Sequence, residues 1–427
     1  MAEPMRAKLD SWYASNRFAS EKGEVKLLEA FLRYDRNPYI KDSNPEGIIS
    51  VGVSHNGSVL DLIQERLSRP DCHQWSQQLV RYPSGYPAFY AVKFMAAVAD
   101  FLTQKTKPVQ PIEPSDVLIH NGTGTSLDCF CHAACDPGDY ILVPTPYYGG
   151  FDMDICLRSG AKIYPVDCTS DNNFMPTIKL LEDTLAKAKN EGCRVKALLI
   201  SNPGNPVGLI FTREQIREMI QFCHSNQLHY ISDEIYMNSV HSEDAEFVSV
   251  LNIDNLPDPN AVHLLWGFSK DFGMPGFQIG CLVTHCQPVK DLMLGRFSLL
   301  HQPANYVRQM LTTMISDREW LEKMYFPTCV NRLREQLEMT IDWLNKNGVP
   351  FIRPMGGLYI YANFNKFLSD STHEAETALW DKFFDVGVYI TPSVAFHGVE
   401  PGWFRIVFAE EPSCLKLALQ RLQKALE

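Results

Sequence analysis

Six short apolar runs govern what this chain can become: DVLIHNG (116–122), YILVPTP (140–146), AKIYPVD (161–167), VKALLISNP (195–203), LHYISDE (228–234) and VHLLWGFS (262–269). Each reads as a strand, and several are apolar enough to be covered on both faces. Longer amphipathic stretches separate most of them. In TREQIREMIQFCHSN (212–226), Ile216, Met219, Ile220 and Cys223 share one helix face, and Thr212 is an N-cap with Gln215 three residues on. Alternation of this kind predicts an α/β fold, a mostly parallel sheet flanked by helices. Beyond about residue 305 the helices lengthen. GVPFIRPMGGLYIYANF (348–364), VYITPSVAF (388–396) and WFRIVFA (403–409) then predict a smaller C-terminal α/β domain beginning near residue 310. A chain of 427 residues is more than one core usually serves, which supports the division.

Composition narrows the function classes. A net charge of -11 argues against a nucleic-acid surface, which needs a basic field. No apolar stretch reaches the roughly 20 residues of a bilayer span, and the first 24 residues lack the apolar core of a secretory signal, so a cytoplasmic location is expected. The 12 cysteines are scattered without CxxC pairs or metal spacing; they read as reduced thiols, and no metal is expected. Small-molecule chemistry fits this composition.

Ligands of an open parallel sheet collect at the carboxyl ends of its strands. There the chain carries NGTGTS (121–126), SNPGNPVG (201–208), DEIY (233–236) and, after the last run, Lys270. NGTGTS reads either as a plain turn or as a cradle for a phosphate at a helix N-terminus. Asn, Asp and Lys at successive strand ends share a chemical meaning. A lysine amine forms a Schiff base with an aldehyde, and pyridoxal phosphate also needs a carboxylate at its ring nitrogen and an anchor for its phosphate. Lys270 and Asp233 supply the first two. Asn205 and Tyr236 are candidates to donate to the ring's phenolate oxygen, which lowers the pKa of the adjacent imine. Tyr148, in PTPYYGG, is a candidate to stack on the ring, or a core aromatic.

On these residues the chain resembles the pyridoxal-phosphate enzymes of the aspartate aminotransferase fold, and within them the 1-aminocyclopropane-1-carboxylate synthase-like branch. NPEGIISVGVSHN (44–56), DPGDYILVPTPYYGGFD (136–152), SNPGNPVG, SDEIY (232–236), SKDFGMPGFQIG (269–280) and EPGWFRIVFA (400–409) carry the resemblance. It implies a fold type I architecture with an N-terminal segment (1–60) packing on the small domain and the partner subunit, a large cofactor-binding domain (61–310) and a small domain (311–427). It also implies Lys270 as the cofactor-bonding lysine and proton shuttle, Asp233 at the ring nitrogen, and Asn205 and Tyr236 at the phenolate oxygen. Tyr148, Thr123, Gly124, Ser269 and Tyr82 are then further cofactor-binding positions. Arg405 resembles the arginine that clamps the α-carboxylate of an amino acid substrate. A homodimer is implied as well.

Three departures bear on the reaction. Gly267 and Gln278 stand where the family usually has a phosphate-binding serine and arginine. Weaker cofactor retention is therefore expected, with serine and arginine at those positions expected to restore it; Arg296 is a substitute cation by residue type only. In RYPSGYP, Gly85 matches a synthase Tyr-His-Gly triplet, but Pro83 and Ser84 precede it and Tyr82 is displaced by one. In VGVSHNG the synthases have Ala-Glu-Asn, and His55 replaces the glutamate that positions a sulfonium substrate. His55 is thus a candidate substrate-binding residue, or a satisfied polar one. Phe297 and His301 either line the substrate pocket or pack. The departures favour elimination or replacement at a β or γ carbon, started by Cα deprotonation. Transamination and a non-catalytic binding module are the alternatives.

Overall fold

The computed structural model describes residues 26–80, 89–294 and 300–427. Its strands are β1 (Ile49–Ser50), β2 (Val117–His120), β3 (Tyr140–Pro144), β4 (Lys162–Val166), β5 (Val195–Ser201), β6 (His229–Asp233), β7 (Val262–Gly267), β8 (Gly280–Thr284), β9 (Phe351–Ile352), β10 (Tyr359–Asn363), β11 (Val388–Tyr389), β12 (Thr391–Pro392) and β13 (Trp403–Val407). β2 to β8 form one sheet in the order β2-β8-β7-β6-β5-β3-β4. The pairs β3/β4, β3/β5, β5/β6 and β6/β7 are parallel, while β8 lies antiparallel to both β2 and β7.

The continuous apolar runs have a direct cause. Leu142, Leu198, Ile200, Tyr230, Leu264 and Trp266 face one core, whereas their neighbours Ile141, Val143, Leu199, Ile231 and Leu265 face a second core on the other side. Helix Phe89–Thr106 contributes Phe94, Val98 and Phe101 to the first core, and helix Thr123–Ala134 contributes Leu127 and Phe130 to the second. Helix Arg213–Ser225 starts as its capping box predicts, with Thr212 Oγ1 accepting from the Gln215 amide at 3.3 Å and Gln215 Oε1 accepting from the Thr212 amide at 2.9 Å. Its residues Ile216, Met219, Ile220 and Cys223 are buried.

β8 is the strand of the central sheet that the sequence reading did not anticipate. Gly280–Thr284 is a five-residue run, GCLVT, that follows a 12-residue excursion rather than a tight turn, so no local signal marks it as a hairpin partner of β7.

Register lines up the strand ends. Ser201 pairs with Asp233, Asp233 with Leu265, and Gly280 with both Gly267 and His120. The segments that follow β2, β5, β6 and β7 therefore meet at one edge.

A second, four-stranded antiparallel sheet follows, in the order β12-β13-β10-β9, in which Arg405 on β13 pairs with Tyr361 and Thr391. The N-terminal segment is tied to this C-terminal part. β1 pairs in parallel with β11, and the buried Arg421 donates to the carbonyls of Gly47 at 2.7 Å, Pro45 at 2.6 Å and Gly387 at 3.1 Å. Three carbonyls lose a charged donor in Arg421→Ala. This variant is expected to cost on the order of 2 to 4 kcal/mol in chemical denaturation and to speed hydrogen exchange at the Ile49 and Val51 amides, which pair with Gly387 and Tyr389.

Candidate active site

A cleft of about 450 Å³ opens at the aligned strand ends. Thr123, Gly124, Tyr148, Asn205, Asp233, Tyr236, Ser269, Lys270 and Arg405 all line it, so nine of the positions singled out from sequence meet in one place. His55 does not line it. Its Nε2 faces the Gly273 carbonyl at 3.2 Å, and burial, with the neighbouring Lys270 charge, lowers its pKa. Tyr82, Arg296 and Phe297 lie outside the described residues. The His301 carbonyl accepts from the lining residue Asn121 and its ring faces Arg158, but His301 itself does not line the cleft.

Lys270 follows β7 on a turn closed by the Gly273 amide donating to the Lys270 carbonyl. Its Nζ donates to the Ser54 carbonyl at 2.6 Å. Burial and the nearby Arg405 charge push the amine down to about 8, against the pull of Asp233. An amine in that range releases its proton near neutrality, as a Schiff-base nucleophile must. Asp233 ends β6 and is 9% exposed. Burial pushes its carboxyl up to about 7, opposed by the Ile235 amide, the Lys270 charge and the Ser201 hydroxyl. Its Oδ1 has no hydrogen-bond partner among the described residues. A buried carboxylate oxygen left unpaired beside a cleft is a place for a cationic N–H donor.

Arg405 Nη1 donates to Asn205 Oδ1 at 2.7 Å, and Nη2 donates to the Gly52 carbonyl at 2.5 Å. A guanidinium only donates, so this bond fixes which way the Asn205 amide is turned and leaves its NH₂ free as a donor. Tyr236 OH is 2.9 Å from Ser54 Oγ. Ser54 and Asp154 are two polar lining residues that sequence reasoning missed. Ser54 precedes a histidine that drew attention by residue type, and Asp154 lies two positions past the quoted Tyr-rich motif.

At the Thr123 end of the cleft the geometry explains Gly267. A Cβ there would stand 2.7 Å from both Thr123 Oγ1 and the Ile279 carbonyl, so a serine cannot simply be restored, contrary to expectation. Gln278 lies at the cleft rim with its Nε2 donating to the Pro275 carbonyl at 2.7 Å. Among the described lining residues Lys270 and Arg405 are the basic ones. Asp154 adds an acid: its Oδ1 occupies the space 2.5 Å from where Gly124 would carry a Cβ. Burial, then Asp233 and Asp128, push that carboxyl up to about 7.

Residues 77–422 match the sequence model of the family described as Aminotransferase class I and II. The chain belongs to that family. It is 33% identical to the human 1-aminocyclopropane-1-carboxylate synthase-like protein 1, over 100% of this chain and 86% of that protein. It is 32% identical to 1-aminocyclopropane-1-carboxylate synthase 7 of Arabidopsis thaliana, over 92% and 90%. It is also 35% identical to a human protein named probable inactive 1-aminocyclopropane-1-carboxylate synthase-like protein 2, over 94% and 71%. The Thermus thermophilus aspartate aminotransferase with maleate superposes with a TM-score of 0.78 at 18% identity, over 96% of this chain and 99% of that one, which shows the expected fold. The family depends on pyridoxal phosphate, and the site fits that cofactor: the unpaired Asp233 oxygen suits its ring nitrogen and Lys270 its aldehyde.

Two expectations follow. Gln278→Arg is expected to slow cofactor loss on dialysis about tenfold or more, since it adds a charge-assisted contact, whereas Gly267→Ser is expected to lower the melting temperature without slowing the loss. The second concerns pH. With its folded pKa raised from 3.8 to about 7, Asp233 contributes stability that is present below about pH 4 and lost as pH rises toward 7. Denaturation of the cofactor-free protein across that window is expected to show a smaller loss in Asp233→Asn, by roughly 4 kcal/mol at most.

Proposed function

We propose that this protein is a pyridoxal-phosphate enzyme that removes a Cα proton from a free α-amino acid and expels or replaces a β or γ substituent. The bound cofactor supplies an electron sink for the pair left at Cα. Lys270 bonds the cofactor and, once displaced by substrate, moves the Cα proton. Asp233 keeps the ring nitrogen protonated, and Tyr236 with Asn205 donates to the ring oxygen. Arg405 receives the substrate carboxylate: its buried Nε has no partner among the described residues, so the guanidinium retains donor capacity beyond its bonds to Asn205 and Gly52. Tyr148 covers the ring.

The observation that carries the reading is the unpaired, buried Asp233 oxygen in the same cleft as the Lys270 amine and Arg405. What favours elimination over cyclisation of a sulfonium substrate is His55. The resemblance puts it where a substrate-positioning glutamate belongs, yet its ring is taken up by the Gly273 carbonyl. An amino acid substrate, a homodimer and a cytoplasmic location complete the proposal.

Purified protein given pyridoxal phosphate is expected to turn yellow and to be trapped covalently by borohydride, both lost in Lys270→Ala. A screen of amino acids and sulfur adducts is expected to yield ammonia, a keto acid and a released thiol or other leaving group. One equivalent of keto acid with a pyridoxamine form of the protein would instead make it an aminotransferase. A wild-type protein that stays colourless would make it a binding module.

A further inference from the structure

Ser54 is 6% exposed, lines the cleft, and touches two residues of the proposed machinery at once. Its carbonyl accepts from Lys270 Nζ at 2.6 Å, and its Oγ lies 2.9 Å from Tyr236 OH. The carbonyl contact needs only a backbone, so any residue provides it. The hydroxyl contact needs serine or threonine, at a place where the synthase stretch quoted above has alanine.

We propose that Ser54 is a positioning residue that tunes the acidity of the lysine-bound cofactor through Tyr236, by orienting the phenol and donating a hydrogen bond to its oxygen. This inference rests on the reading in which Tyr236 donates to the cofactor's ring oxygen. Either hydroxyl can be the donor when the pair stands alone. Once the Tyr236 proton is committed to the ring oxygen, the phenol oxygen can only accept, and Ser54 becomes the donor. A phenol that accepts one hydrogen bond gives a stronger one in return. That draws charge from the ring oxygen and loosens its hold on the neighbouring imine proton, so the serine lowers the pH at which the proton leaves.

Among the described residues around Tyr236, Ser54 has the hydroxyl at hydrogen-bond distance from the phenol oxygen. Asp233 comes from β6, Arg405 from β13, Tyr148 from the loop after β3 and Tyr359 from β10, and Lys270 lies beyond the Ser54 carbonyl. Tyr359 packs edge-on at 5.4 Å between ring centroids, and its hydroxyl donates to the Gly204 carbonyl at 3.1 Å. Arg405 is bonded to Asn205 and Gly52. Burial raises the Tyr236 pKa, whereas Arg405 and the Ser54 hydroxyl lower it, the direction that a donating serine requires.

The experiment is a spectrophotometric pH titration of the visible band of protein loaded with pyridoxal phosphate, which needs no substrate. Ser54→Ala is expected to raise the midpoint by about half a unit to one unit, the scale of one hydrogen bond, and Ser54→Thr to restore it. In a Tyr236→Phe background, Ser54→Ala is expected to move nothing further. An unshifted midpoint in Ser54→Ala overturns the inference, as does an equal shift in the Tyr236→Phe background. A wild-type protein that forms no band overturns the proposed function, and this inference with it.

Discussion

The Arg405 guanidinium is where three parts of the chain are held at one point. It stands on β13 in the C-terminal sheet, donates to Asn205 beyond β5, and donates to Gly52 in the N-terminal segment. It is 3% exposed and lies over the rings of Phe396 at 4.7 Å and Tyr359 at 5.1 Å. No carboxylate among the described residues pairs with it. Burying a cation against neutral dipoles and aromatic faces costs free energy that an ion pair would partly offset. The protein thus keeps a buried charge with no carboxylate partner among the described residues, and the contacts that position the charge also hold the cleft walls together.

The opposite end of the cleft inverts that arrangement. Thr123 opens a helix whose N-cap Gly122 has no side chain to cap its first amides, a setting suited to a phosphate, yet the residue that reaches into it is Asp154. A carboxylate beside a phosphate is repulsive while ionised. Burial among Asp233 and Asp128 holds Asp154 near the boundary between its charged and neutral forms. In the neutral form it donates a hydrogen bond where the ionised form repels. Gly124 is what makes room for it, and Gly267 is what makes room for the Thr123 hydroxyl, so the two glycines reflect how the side chains at this end are packed.

How much was legible in the sequence follows from what kind of signal each feature carries. Most of the six strands showed because burial on both faces keeps the centre of the run apolar, as in the ALLI of β5. The helix at Thr212 showed because capping is local. The strand ends pointed to Lys270, Asp233, Asn205 and Tyr236 because parallel topology makes those ends converge. β8 did not show, since a hairpin partner reached through residues 268–279 is specified by packing between β2 and β7 and not by its own five residues. The roles open to Gly267 and Gln278 were equally hidden. Reading Gly267 as a lost hydroxyl ignores Thr123, which is 144 positions away in sequence and fills that space.

Ser54 shows the same limit from the other side. Nothing in VGVSHNG marks the serine, and the residue that draws the eye is His55, the one side chain there able to titrate near neutrality. The His55 amide donates back to the Val53 carbonyl at 2.8 Å, a tight turn about Ser54 that leaves the Ser54 hydroxyl beside Tyr236 and the His55 ring facing the Gly273 carbonyl. The choice is set by β1, whose pairing of Ile49 with Val388 fixes the register of the segment, and by the Thr391 hydroxyl and Arg405, which both donate to Gly52. The chemistry of this segment therefore depends less on which residue types it contains than on the anchors outside it that decide which of them faces the cleft.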